Sequence, residues 1–322
     1  MRTAAGSINR ELLHSLYRKT LKLIATVEEP HAQRIVQTRW AEFVPPRVYI
    51  TQEDSLRDVV RRSFESSYSA ASVTNAFTFL KEGRESLFSV WVLVEWERLG
   101  AREQWDLSDA LVLMSAALYG ARVGCDTQKA LESCMKDYQL CMHAYVQNLA
   151  EAVWEEINKQ GFDAESVEGL TKVVNAVRDR SMLQQRSATP EDFSLISLLQ
   201  RSCASEYVLN VVLLLVLRVL EVGGTLVGGD LAYRWVRVRP RNKSSPLFAS
   251  WSYGAMRRAD VERHICTSDK QWHRPAQGDS LQQRSVACAL LQRQLRCLPN
   301  SSDPATQRIK STCTEQILLL LS

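Results

Sequence analysis

The residues of this chain best suited to chemistry are basic and aromatic, and they fall in two groups. The later group holds Arg234, Trp235, Arg237, Arg239, Arg241 and Lys243 beside Tyr233, then Trp251, Tyr253, Arg257, Arg258 and Arg263. Guanidinium groups pair with phosphate oxygens and aromatic rings stack on unpaired bases, so this interleaving is a candidate RNA-binding segment. A basic loop held against another protein is the equal alternative. Alternation over Tyr233 to Arg239 predicts a short extended run with its arginines on one side. The earlier group is Leu16-Tyr17-Arg18 with Lys22, followed further along by Arg57, Arg61 and Arg62.

Reaction chemistry finds no comparable set. The sequence has no Gly-x-Ser-x-Gly, no histidine pair at metal spacing, no phosphate loop and no dinucleotide fingerprint. Gly223-Gly224 and Gly228-Gly229 break the chain without the lysine that a phosphate loop needs. The eight cysteines form no C-x-x-C pair and complete no zinc pattern with the histidines. They read as reduced, partly buried thiols of an intracellular protein. His143 reads as a surface or hydrogen-bonded residue. The expectation is a non-catalytic chain that binds no metal, no cofactor of its own and no small-molecule substrate.

The elements that position the early group are helices. Leu13, Leu16, Thr20, Ile24 and Val27 recur at intervals of three and four, so Asn9 to Val27 is expected to be a helix ended by Pro30. A second helix starts near Thr51 to Ser55 and carries Leu56, Val59, Val60 and Phe64. A third starts near Ser72 and carries Val73, Phe77, Leu80, Leu87, Val90 and Leu93, with Gly83 inside it. Three apolar stripes on short links make an antiparallel bundle. Composition agrees with a folded protein: 322 residues, 45% hydrophobic, 24% charged and a net charge of only +4. Any nucleic-acid role therefore rests on local clusters.

Residues 11 to about 95 resemble the mitochondrial LYR-motif proteins. The residues that carry this are Leu16-Tyr17-Arg18, Lys22, Arg61 with Phe64, and Gly83 followed by Leu87. Lysine stands at position 22 where arginine is common, and the first link is longer than usual. The resemblance implies a three-helix bundle in the mitochondrial matrix that binds the mitochondrial acyl carrier protein. The carrier's acyl-phosphopantetheine arm then enters between the helices. On that reading Leu13, Leu16, Ile24, Val60, Phe64, Val73, Phe77 and Leu80 line the acyl channel. Tyr17, Arg18, Lys22, Arg57, Arg61 and Arg62 meet the acidic carrier.

The rest of the chain reads as helical. Leu107 to Tyr119 is a helix with Ser108 as its cap, and Thr127 to Lys159 carries Leu131, Met135, Tyr138, Met142, Tyr145, Leu149 and Val153 at helical spacing. Tyr207 to Leu217 is too short to span a membrane and is expected in the core. The expected fold is mostly α: a three-helix LYR-type bundle over 1–100, a helical annex over 101–230, and a basic, partly extended region over 231–322. The function expected is an adaptor that docks acyl carrier protein on a large mitochondrial assembly. A ribosomal large-subunit intermediate is favoured, with rRNA as a possible contact. The alternatives are a subunit or assembly factor of respiratory complex I or another respiratory complex, and a helical structural protein without a carrier.

Overall fold

The computed structural model describes residues 2–24, 55–70, 88–102, 106–125, 127–160, 166–227, 235–239, 245–266 and 279–321. The protein is mostly α. In chain order come α1 (Arg2–Ile24), α2 (Leu56–Ala70), α3 over 88–100, α4 (Leu107–Val123), α5 (Gln128–Gln160) and α6 (Val167–Ser181). Strand β1 (Gln184–Gln185), a 3-10 turn (Pro190–Phe193), α7 (Leu195–Arg201), β2 (Cys203–Ala204) and α8 (Glu206–Val219) follow. Then come β3 (Thr225–Val227), β4 (Trp235–Val238), β5 (Leu247–Ser250), β6 (Gly254–Arg257), α9 (Arg258–Cys266), α10 (Asp279–Arg296) and α11 (Pro304–Leu321).

Helices α4 and α8 are buried nearly all round, as their largely apolar sequences require. Around α4 stand α5, α10, α11 and α7. Gly120 of α4 leaves room for the ring of Phe88, which a β-carbon there would meet at 2.2 Å. Helix α3 is tied to α11 by Trp96 Nε1 donating to Gln316 Oε1 at 2.8 Å, and by Ser89 Oγ beside Thr312 Oγ1 at 3.2 Å. Helix α11 is tied to α4 by Arg308 Nε donating to the Ala121 carbonyl at 3.1 Å. One continuous buried cluster includes side chains from α1, α3, α4, α8, the sheet, α10 and α11.

Strands β3 to β6 form an antiparallel sheet in sequence order, with Arg237 opposite Phe248 and Phe248 opposite Met256. This pleat sends Val236, Val238 and Ala249 into the main core. It sends Trp235 and Phe248 to the other face, where Val261 of α9 covers them. Asn210, buried on α8, accepts from the Trp251 backbone N–H at 2.8 Å and so fixes the sheet to that helix.

Local chemistry sets the element ends. The cap of α4 is Asp106, whose carboxylate accepts from the Ser108 backbone N–H, and not Ser108 itself. A carboxylate placed at the cap position is the stronger acceptor and suits the positive end of the helix. Helix α1 begins at Arg2, ahead of the expected Asn9. The first part of the third expected helix, over 72–87, and the proline that was to end the first helix lie outside the described residues. Among the described residues, no helix is long and apolar enough to cross a membrane.

Candidate functional site

Helices α1 and α2 pack against each other. On α1, Leu13 and Ile24 are buried and Leu16 is half-buried, while Thr20 is buried with its hydroxyl donating to the Leu16 carbonyl at 2.9 Å. On α2, Val60 and Phe64 are buried. Helix α2 starts at Ser55, whose Oγ accepts from the Asp58 backbone N–H at 3.2 Å, an N-cap that ties up one unpaired amide. The Tyr17 ring lies parallel to the Phe64 ring, 4.2 Å between centroids and 12° between planes. Tyrosine of the tripeptide is thus a half-buried bridge between the two helices, and its hydroxyl end remains beside the basic residues.

Those basic residues stay in solvent. Arg18, Lys22, Arg57, Arg61 and Arg62 are all exposed. The Tyr17 hydroxyl is pushed up chiefly by burial, while Arg61 and Arg57 act against that and Glu65 adds to it. Arg57, Arg61 and Glu65 of α2 are therefore within electrostatic reach of the α1 motif. Arg61 Nε sits 3.2 Å from Glu65 Oε1, an exposed pair one turn apart that restrains Arg61 weakly. Among the described residues, Arg18 Nε reaches back to the His14 carbonyl, at 3.4 Å. Two sequence-distant groups thus meet on one surface: a buried apolar seam flanked by exposed cations. Three of the expected channel residues, Val73, Phe77 and Leu80, lie outside the described residues.

The second basic group is placed differently from its expectation. Trp235 is 2% exposed and belongs to the small core between the sheet and α9, so no base can stack on it directly. Arg237, on the same face, is half-buried, and Arg239 is exposed. Arg234, Arg241 and Lys243 lie outside the described residues. Among the described rings of this group, the one that reaches solvent is Tyr253, 43% exposed and stacked on Trp235 with centroids 5.6 Å apart. The sequence places Tyr253 in the basic and aromatic group, and its position in the turn between β5 and β6 is what exposes it. Arg257, Arg258 and Arg263 are exposed on the adjoining segment, though Arg258 pairs with Glu262 and Arg263 with Asp260.

Two further features have a structural explanation. Asp192 has a fully buried side chain, yet its carboxyl is held down at about 2 by hydrogen bonds from Arg186, Thr189 and Ala188 that outweigh burial. Arg186, Ala188 and Thr189 all belong to one turn, which Asp192 clamps. Burial pushes the Cys134 thiol up to about 11 and the Cys313 thiol up to about 12, the opposite of what a thiolate nucleophile requires. Cys125, Cys134, Cys141, Cys203, Cys288, Cys297 and Cys313 are free thiols. Among the described residues, no three His, Cys, Asp or Glu side chains gather as a metal site. No protein-family model, curated protein or solved structure matches the chain.

Proposed function

We propose that this chain is a non-catalytic adaptor of the mitochondrial matrix. Helices α1 and α2 hold the mitochondrial acyl carrier protein, and the larger helical body docks the pair on a ribosomal large-subunit assembly intermediate. The observation that carries this reading is the pairing of α1 with α2. Tyr17 and Phe64 stack across a buried seam, and Arg18, Lys22, Arg57, Arg61 and Arg62 are exposed around it. An acidic carrier surface is complementary to that rim. A fatty acyl arm gains about 0.8 kcal/mol for each methylene it buries, and Leu13, Ile24, Val60 and Phe64 offer the apolar contacts. The acyl-phosphopantetheine belongs to the carrier. Ribosomal docking is favoured over a respiratory complex by the exposed Tyr253 with Arg239 and Arg257, chemistry suited to rRNA.

The test is carrier retention by affinity-purified variants. Tyr17→Ala with Arg18→Ala removes both the stack and a rim charge, so retention should fall sharply while the body keeps its helical circular dichroism. Arg18→Ala with Lys22→Ala alters exposed charge alone and should weaken retention without touching the seam. Full carrier retention in both folded variants would refute the assignment.

A further inference from the structure

A cavity of about 460 Å³ opens between the start of α4, the middle of α5 and the end of α8. Its volume falls within the range of small-molecule sites. The floor is apolar: Val112, Met142 and Val146 are buried there, with Leu215 beside them. The polar groups stand around this floor and are not equivalent. Arg218 Nη1 donates to both oxygens of Asp106, at 2.9 and 2.8 Å, so each cancels the other's charge. Asp106 is further committed as the cap of α4.

Asp109 is different. Its side chain is 28% exposed, and its only ion-pair partner among the described residues is Arg102, 3.5 Å away on a side chain 62% exposed. Burial raises the Asp109 carboxyl, and Arg102 offsets this only in part. Three other lining residues, Gln139, His143 and Gln147, make no side-chain hydrogen bond among the described residues. The amide oxygens and an imidazole nitrogen are therefore available as acceptors.

We propose that this cavity binds a primary organic ammonium compound with a short apolar tail, its ammonium on Asp109 and its tail on the Val112, Met142 and Val146 floor. An ammonium group brings three donors and no acceptor, which matches a carboxylate with amide and imidazole acceptors around it. A carboxylate ligand would face Asp106 and Asp109 with the Arg218 contact already taken. A pure hydrocarbon would bury Asp109 further and add nothing to its long contact with exposed Arg102, which is unfavourable. The site is separate from α1 and α2 and does not depend on the carrier-binding reading.

The experiment is isothermal titration of the full chain with n-hexylamine, hexan-1-ol and hexanoate at matched ionic strength. Hexylamine should bind once per chain and at least about tenfold more tightly than hexan-1-ol, with hexanoate weakest. Shortening the amine by one methylene should weaken binding by about fourfold. Asp109→Asn should erase the preference for amine over alcohol, and Val146→Phe, which fills the cavity, should abolish binding of both. Equal binding of amine and alcohol by the native chain, preference for hexanoate, or no hexylamine binding would each overturn the proposal. So would unchanged hexylamine affinity in folded Asp109→Asn or folded Val146→Phe.

Discussion

Replacing Asp192 with asparagine should be among the most damaging single-atom changes available in the helical body. The Asp192 carboxylate is fully buried and accepts from Arg186 Nε and Nη2 at 3.0 and 2.7 Å, and from the Ala188 and Thr189 backbone N–H groups at 2.9 Å each. Its own carbonyl accepts from the Ser205 N–H at 2.7 Å, so the clamp also fixes the residue that caps α8. An amide nitrogen placed among these donors leaves N–H facing N–H and strips Arg186 of its counter-charge. Breaking a pair whose carboxylate is buried costs about 3 kcal/mol, or about 4–5 °C in Tm for a chain of 322 residues.

The pH dependence gives a second reading of the same clamp. The folded value is depressed from 3.8 to about 2, so the charged form contributes its full stabilisation above the unfolded value. That contribution is lost as pH falls through 3.8 toward 2. By linkage it is about 2 kcal/mol in all, of which about 1 kcal/mol is gone at pH 3. Urea unfolding of wild type and Asp192→Asn at pH 7, 5 and 3 should show a constant gap at the two higher values and a smaller one at pH 3. A gap under about 0.5 kcal/mol at pH 7, or one that does not narrow at pH 3, would refute the reasoning.

Other expectations are simpler to state. Gly120→Ala drives a methyl group into the Phe88 ring and should cost about 1–3 kcal/mol, with part of the loss recovered when Phe88→Leu is added; thermal unfolding of the two variants checks this. Thiol labelling of the native chain should modify exposed Cys141 early and leave Cys313, 2% exposed and pushed up to about 12, unmodified until urea unfolds the protein. Arg57→Glu with Arg61→Glu should lower carrier affinity by at least about tenfold and flatten its salt dependence. The same pair should leave thermal stability nearly unchanged, since both side chains are exposed and the Arg61–Glu65 pair is weak.

How far these features can be read from the sequence follows from the physics of each. The stripe Leu131, Met135, Tyr138, Met142, Tyr145, Leu149 and Val153 is buried or half-buried along α5, because a helix with one dry face must repeat near 3.6. Strand β4 was legible from alternation, but its neighbours were not. Every residue of β5 is buried, since the core covers one face and α9 the other, so Leu247 to Ser250 carries no alternation. The same cover explains Trp235: the pleat places it with Arg237, and only α9 takes that face out of water. The Asp192 clamp joins residues across a turn, where side-chain pairing follows no period. In the candidate site, the spacing of Leu13, Leu16 and Ile24 gave the seam on α1. The stacking of Tyr17 on Phe64 joins two helices and needed the fold.

The measurement that tests the central proposal most directly is intact-mass analysis of the tagged protein purified natively from mitochondria, with sedimentation of its complexes. The adaptor reading predicts an acylated carrier protein bound to the chain and migrating with large-subunit ribosomal particles. Carrier migrating with a respiratory complex would retain the role of α1 and α2 and contradict the ribosomal assignment. Absence of the carrier from every fraction that holds the folded chain would contradict the account at its centre.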